Sequence, residues 1–258
     1  MNIKQILLLL SILFALTAVL VVSSALPWLV MLILPIAGLT ILVFGAFSIR
    51  WNFFLKAIHC GDTTRRQIAL TFDDGPHPDH TPRVLAQLRE YGIRATFFCI
   101  GQHVEQHPEL MQRIHDEGHL VGNHSFTHAS TIDFHGKAKW LAEIRQTDEA
   151  IEHAIGKRPQ FFRPPYGVTT PHLAKAVRES GHHVIGWRVR PYDTVARPSQ
   201  RITKKILKKT RSGDIILLHD THDRIIPVLE QLLPELKKLD FSLVTVEKLI
   251  QQQAYAKP

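Results

Sequence analysis

The 258-residue chain carries 31 Lys and Arg against 23 Asp and Glu, for a formal charge of +8, with 45% hydrophobic residues and two cysteines. That length holds one sizeable domain plus an appendage, and Cys60 and Cys99 supply neither a disulfide framework nor a cysteine metal cluster, so both read as free thiols. The basic balance comes without a nucleic-acid module or an interleaved aromatic platform. Nucleic acid is therefore set aside, and anionic membrane lipids are the expected counterpart.

No charged residue lies between Lys4 and Arg50. Ile6 to Val22 and Trp28 to Phe47 are apolar runs close to the ~20 residues a spanning helix needs, divided by Ser23-Ser24-Ala25-Leu26-Pro27. The expectation is a transmembrane helical hairpin over residues 1–50, with Trp28 at an interface. The competing reading is a signal peptide ending near Ser24-Ala25, which would still leave the second run as an anchor. Lys4 flanks one end and Arg50, Lys56, Arg65 and Arg66 the other, so the positive-inside rule places both ends in the cytoplasm at a bacterial-type inner membrane. Cleavage of the first run would instead place the domain outside. Residues 51–66 read as a linker, 67–250 as the main domain and 251–258 as a tail.

From Gln67 onward strands and helices alternate. Apolar runs at Ile68–Phe72, Thr96–Ile100, His119–Val121, Phe161–Phe162, Val184–Trp187, Asp214–Leu218 and Phe241–Val246 predict seven strands. Thr81-Pro82, read as an N-cap and first-turn proline, opens a helix to about Tyr91. Pro108–Glu117, Lys137–Ile155, Pro171–Ser180 and Arg201–Arg211 read as helices stopped at or near Gly118, Gly156, Gly181 and Gly213, and Ile225–Lys238 precedes the last strand. The fold class is α/β: seven β-α repeats favour a parallel sheet closed, or nearly closed, into a barrel. An open doubly wound sheet is the alternative, but no Gly-rich nucleotide loop follows the first strand.

The candidate chemistry falls on the loops after the strands, where such barrels keep it. Asp73-Asp74 follow the first strand, and two adjacent carboxylates oppose each other's ionisation unless a cation makes one a ligand and leaves the other as a base. His124 and His128 follow the third strand, and their spacing of four puts both imidazoles on one side of a helical turn. With one Asp they form a two-His, one-carboxylate face suited to Zn²⁺ with bound water or to non-haem Fe(II). Arg163-Pro-Pro-Tyr166 follows the fourth strand, Asp193 the fifth, and His219-Asp220 end the sixth. His103, His107, His115, His119, His135, His153, His172, His182 and His183 read as ordinary surface or core histidines. Lys204, Lys205, Lys208 and Lys209 read as the solvated face of a helix whose Ile202, Ile206 and Leu207 face the core, with lipid docking as the sharper option.

Thr71-Phe-Asp-Asp-Gly-Pro76, His124-Ser-Phe-Thr-His128, Arg163-Pro-Pro-Tyr166 and Leu217-Leu-His219 resemble, in order, the motifs of the polysaccharide deacetylases of carbohydrate esterase family four, over about Gln67 to Leu249. The resemblance implies a distorted (β/α)7 barrel that removes N-acetyl groups from amino sugars with a divalent metal, Zn²⁺ before others. Carried onto this chain, it implies that Asp74, His124 and His128 bind the metal and that Asp73 is the base, oriented by Arg163. His219 becomes the acid, and the backbone N–H of Tyr166, beside Pro165, holds the oxyanion. The fourth motif departs: Arg190 stands where an Asp is usual and Thr194 where a Trp is usual, while Asp193 remains as the partner of His219. Arg190 raises the expectation of a lipid-linked sugar phosphate as substrate. The alternatives are another N-acyl or N-formyl group, or a catalytically weak, membrane-anchored saccharide-binding protein.

Overall fold

The computed structural model describes residues 3–23, 30–195 and 197–257. Eight short strands form the domain's frame among the described residues: β1 (Ala57–Ile58), β2 (Gln67–Asp73), β3 (Thr96–Cys99), β4 (Leu120–Asn123), β5 (Phe161–Phe162), β6 (His183–Ile185), β7 (Ile215–His219) and β8 (Ser242–Leu243). All pairings between them are parallel, in the order β1-β6-β5-β4-β3-β2-β7, with β8 on the first residues of β2.

The sheet curls, and isolated backbone bonds rather than a ladder bridge its ends. Arg188 N–H donates to Ile215 O at 3.0 Å, Leu217 N–H to Val189 O at 3.0 Å, and Gly61 N–H to Gly213 O at 2.8 Å. The expected barrel is thus a curled half-barrel with eight strands instead of seven. The extra strand, β1, lies in the stretch read as linker and is made by register pairing with β6 (Ala57 opposite Val184).

Alternation along β2 explains why the site sits where it does. Ile68, Leu70 and Phe72 join the outer core with Leu85, Leu88, Leu229 and Leu232, while Ala69 packs inward with Phe98, Ile185 and Ile215. Thr71 and Asp73 share that inward parity, so the strand carries buried polar groups into the mouth of the barrel.

Ten α-helices are described. Two are the apolar pair α1 (Ile3–Val22) and α2 (Val30–Phe47), and the others are α3 (Thr81–Glu90), α4 (Gly101–Gln106), α5 (Pro108–Asp116), α6 (Lys137–Ile155), α7 (Pro171–Ser180), α8 (Ser199–Lys209), α9 (Ile225–Lys238) and α10 (Val246–Ile250). α6 and α7 end on Gly156 and Gly181 at φ 68° and 77°, the left-handed stop expected of glycine. On α8, Ile202 and Ile206 are buried and Lys204, Lys208 and Lys209 exposed as read, whereas Lys205 is partly buried with its Nζ donating to Pro191 O.

Three expectations are corrected. Thr81 is not an N-cap: His80 holds that position without a side-chain bond, and the Thr81 hydroxyl instead donates to Asp220. The last strand stops at Leu243, because Thr245 and Glu247 start α10 and Val246 N–H is taken by the Thr96 hydroxyl. The third concerns the membrane hairpin. Among the described residues no helix is long and apolar enough to cross a membrane. The turn expected over Ser24-Ala25-Leu26-Pro27 and the interfacial place given to Trp28 lie outside the described residues.

Candidate active site

β2 ends in Asp73 and Asp74, and the chain there must turn sharply. Asp74 takes φ 74°, in the left-handed region that aspartate tolerates better than most residues. The next position has to be glycine: a Cβ on Gly75 would come within 2.6 Å of the Asp220 carboxylate. The two carboxylates diverge. Asp73 Oδ1 accepts from Arg163 Nη1 at 2.6 Å, whereas Asp74 Oδ1 lies 3.3 Å from His124 Nε2 and 3.4 Å from His128 Nε2.

Arg163 is fully buried and tied in place by all three of its nitrogens. Nε donates to Ile185 O at 3.0 Å, Nη2 to Gly186 O at 3.1 Å, and Nη1 also to the Thr71 hydroxyl at 2.8 Å. Its guanidinium lies 4.0 Å from the centre of the Phe98 ring. A buried guanidinium with a buried carboxylate is tolerated only where further hydrogen bonds accompany the pair, and here each of the three nitrogens has a partner.

The two histidines do not share a helical turn, contrary to the reading of their spacing. His124 continues directly from β4, and residues 124–129 are an irregular loop with Ser125 at φ 66° and His128 at φ 48°. The buried Glu143 of α6 shapes this loop. Its carboxylate accepts from Phe126 N–H (2.9 Å), Thr127 N–H (2.8 Å) and the Thr127 hydroxyl (2.8 Å), and the Ser125 hydroxyl accepts from His128 N–H. His124 Nδ1 sits 2.8 Å from Arg163 O, a bond in which a carbonyl can only accept, so the proton is on Nδ1 and Nε2 keeps its lone pair toward Asp74.

Asp74, His124 and His128 each offer a ligand atom within 4.8 Å of the others, and this chemistry, one carboxylate oxygen with two imidazole nitrogens, fits a divalent cation. Burial would raise the Asp74 carboxyl, but the hydrogen bond and charge of His124, with His219 and His128, hold it well below the usual carboxylate range. Burial, and then the neighbouring His124, bring His128 down to about 4, which keeps it in the neutral form that ligates.

Opposite this group, β7 ends in His219. Its Nδ1 lies 3.1 Å from Asp193 Oδ1, its backbone N–H donates to Asp193 Oδ2 at 2.8 Å, and its Nε2 is 4.0 Å from Asp74 Oδ2. Burial disfavours charge on His219, but the hydrogen bond and charge of Asp193, aided by Asp73 and Asp74, raise it to about 9. Asp73, Asp74, His124, His128, Tyr166, Arg190 and His219 line a cleft of about 160 Å³ together with Trp187 and Thr194. Arg163 and Asp193 stand immediately behind it, and Pro165 is buried in the short helical turn 165–167 that carries Tyr166 at φ 58°. The Tyr166 hydroxyl donates to His128 O, linking that turn to the histidine loop. Every site residue expected from the sequence is brought to this one place.

Several partners were not legible beforehand. His103, read as ordinary, has Nδ1 2.8 Å from the carbonyl oxygen of Asp74, and His222 Nε2 lies 3.6 Å from Asp193 Oδ2. Asp220 is fully buried beneath Gly75, and burial raises its carboxyl to about 7 against the opposing bond from Thr81. Asp220 was legible only as the neighbour of His219 at the end of the sixth strand, and His222 left a trace in the run His219-Asp-Thr-His222.

Fold and site together define a curled parallel β/α sheet with a buried carboxylate, Asp73, beside a two-His, one-Asp group able to hold a metal ion. Comparisons with known proteins identify its kin. The polysaccharide deacetylase family profile matches residues 60–185. A peptidoglycan-N-acetylglucosamine deacetylase of Bacillus cereus is 36% identical over 198 residues, covering 71% of this chain and 87% of its own length. A chitooligosaccharide deacetylase of Bradyrhizobium sp. is 33% identical over 213 residues, covering 76% and 94%. The structure of the peptidoglycan deacetylase PdaC from Bacillus subtilis superposes with a TM-score of 0.68 at 34% identity, covering 73% of this chain and 91% of that one. The chain belongs to the polysaccharide deacetylase family.

Proposed function

We propose that this protein hydrolyses the N-acetyl group of an amino sugar in an envelope glycan or a lipid-linked saccharide, using a divalent metal, Zn²⁺ before others, held by Asp74, His124 and His128. When bound, the metal supplies a Lewis acid and a water acidified toward a pKa of about 7. The rest is the work of the chain's own residues. Asp73, with Oδ1 fixed by Arg163, accepts the proton of the attacking water on Oδ2. The Tyr166 backbone N–H donates to the oxygen on which charge develops. His219 gives the proton on Nε2 to the departing amine, which cannot leave as an anion, while Asp193 fixes the ring through Nδ1.

The observation that carries the proposal is convergence: base, ligand set and acid meet in one small cleft, with His219 Nε2 4.0 Å from Asp74 Oδ2. The relatives' substrates, peptidoglycan and chitooligosaccharide, support an N-acetylated glycan as the class. The test is acetate release from N-acetylglucosamine oligomers by chelated and Zn²⁺-restored protein. Release that disappears with chelation and returns with metal supports the proposal. Formate release from N-formyl analogues without acetate release would move the assignment to the alternative acyl group.

We further propose that the protein works at a membrane surface. α1 and α2 expose Leu8, Leu9, Leu16, Ile33, Ile36 and Leu39, each more than half accessible. The end of α2 is joined to the site, since Thr169, just after the Tyr166 turn, donates its N–H to Ala46 O at 2.9 Å. The basic residues Arg50, Lys56, Arg65 and Arg66 after α2 support the cytoplasmic surface, whose lipids are anionic, and a reporter fusion after Pro258 tests it.

A further inference from the structure

We infer that Arg190 makes the cleft selective for amino sugars carrying an anionic group, a phosphate or a carboxylate, beside the acylated ring. The inference rests on the deacetylase reading and names its substrate more closely. Arg190 lines the same cleft as Asp74 and His219. Its guanidinium is 5.4 Å from the centre of the Trp187 ring and 5.0 Å from that of Tyr192, so two aromatic faces hold it at the mouth. No carboxylate pairs with it among the described residues, for the nearest in sequence, Asp193, is taken by His219 and His222.

Two further cations without acidic partners are tied to the segment that follows Arg190. Lys205 lies 4.4 Å from the centre of the same Tyr192 ring and donates to Pro191 O, while Arg224 donates to Thr194 O. Their bonds go to backbone carbonyls, which hold them in position and leave their charge uncompensated. A planar guanidinium backed by aromatic rings presents its N–H edge for two-point binding of an oxyanion, which a neutral saccharide hydroxyl does not match. Arg190 at the cleft, with Lys205 and Arg224 behind it, also adds positive charge on this side of the site, which draws anions in a salt-dependent way.

The experiment uses the full chain loaded with Zn²⁺ and compares three probes: neutral chitotetraose, N-acetylglucosamine oligomer 1-phosphate, and a disaccharide containing N-acetylmuramic acid. The quantity read is the ratio of kcat/KM for each anionic probe to that for chitotetraose. In Arg190→Ala this ratio falls at least tenfold for phosphate, for carboxylate, or for both, and Arg190→Lys restores part of it. A fall in the phosphate arm alone assigns phosphate, and one in the carboxylate arm alone assigns carboxylate. Ratios that do not change in either arm overturn the inference. Titration calorimetry of the same probes separates it from the deacetylase reading. If wild type turns over none of them but binds an anionic probe more tightly than chitotetraose, and Arg190→Ala loses that preference, the deacetylase reading fails and the inference stands. Equal binding by wild type and variant overturns the inference whatever the turnover. Unchanged far-UV circular dichroism shows that the variants are folded.

Discussion

Two arginines, Arg163 and Arg190, border the cleft, and their surroundings are opposite. Arg163 is fully buried, and Asp73, Thr71, Ile185 and Gly186 take up its donors. Arg190 is half-exposed, held by ring faces alone, and has no acceptor among the described residues. A buried guanidinium with every nitrogen bonded inside the protein can only hold another group still, so Arg163 is a positioning residue for Asp73. One whose donors face a pocket has capacity for something not in the chain. On the proposed function, the buried arginine therefore serves the reaction and the accessible one serves the choice of what reacts.

The largest expected effect falls on the buried side. Arg163→Met strands the Asp73 carboxylate without its partner, and breaking such a buried pair costs about 3–5 kcal/mol. The variant should unfold at distinctly lower urea concentration than wild type and lose most acetate release. Normal stability with normal turnover would mean that the two sides do not differ as described.

A smaller effect tests how the histidine loop is held. Glu143→Gln replaces an acceptor of three bonds with a group that must also turn an amide N–H toward donors. Outer partners of metal ligands typically contribute about 10–100-fold in metal affinity. Competition with a chromophoric chelator should show Zn²⁺ binding weakened in that range, while Arg190→Ala, on the opposite rim, leaves metal affinity as it was.

The smallest effect serves as a control remote from the cleft. His119 is buried, and its Nδ1 accepts from Ala95 N–H at 3.0 Å. Burial lowers its pKa to about 4 from the ordinary 6.5. Because the folded-state value lies below the unfolded one, the native state binds fewer protons in that window. His119 therefore contributes stability that is present above pH 6.5 and lost as pH falls toward 4. His119→Phe should be less stable at pH 7, with Ala95 N–H left unpaired, and should show a shallower loss of stability between pH 6.5 and 4.5. A slope identical to wild type would contradict this.

Much of the architecture was legible because local signals agreed with tertiary packing. Lys137–Ile155 and Pro171–Ser180 match their predicted bounds because Gly156 and Gly181 occupy left-handed stops and Thr170 caps Leu173 N–H ahead of Pro171. β1 was missed because two residues have no periodicity, and only their pairing with β6 makes them a strand. The spacing of His124 and His128 pointed to the right pair for the wrong reason. A helical turn would align them, but positive φ at Ser125 and His128 and three bonds to Glu143 do so instead, and Glu143 is distant in sequence. His103 escaped notice because its bond to the Asp74 carbonyl is a product of folding that no spacing records.

The most direct test of the central claim compares wild type with Asp73→Asn on chitotetraose at saturating Zn²⁺, reading acetate release and bound metal on the same samples. Asp73 pairs with Arg163 and is not among the three ligands. The account predicts release reduced by about 10²–10⁴-fold, the usual contribution of a general base, with metal still bound at one equivalent. Near-normal release by Asp73→Asn, with metal bound, would contradict it.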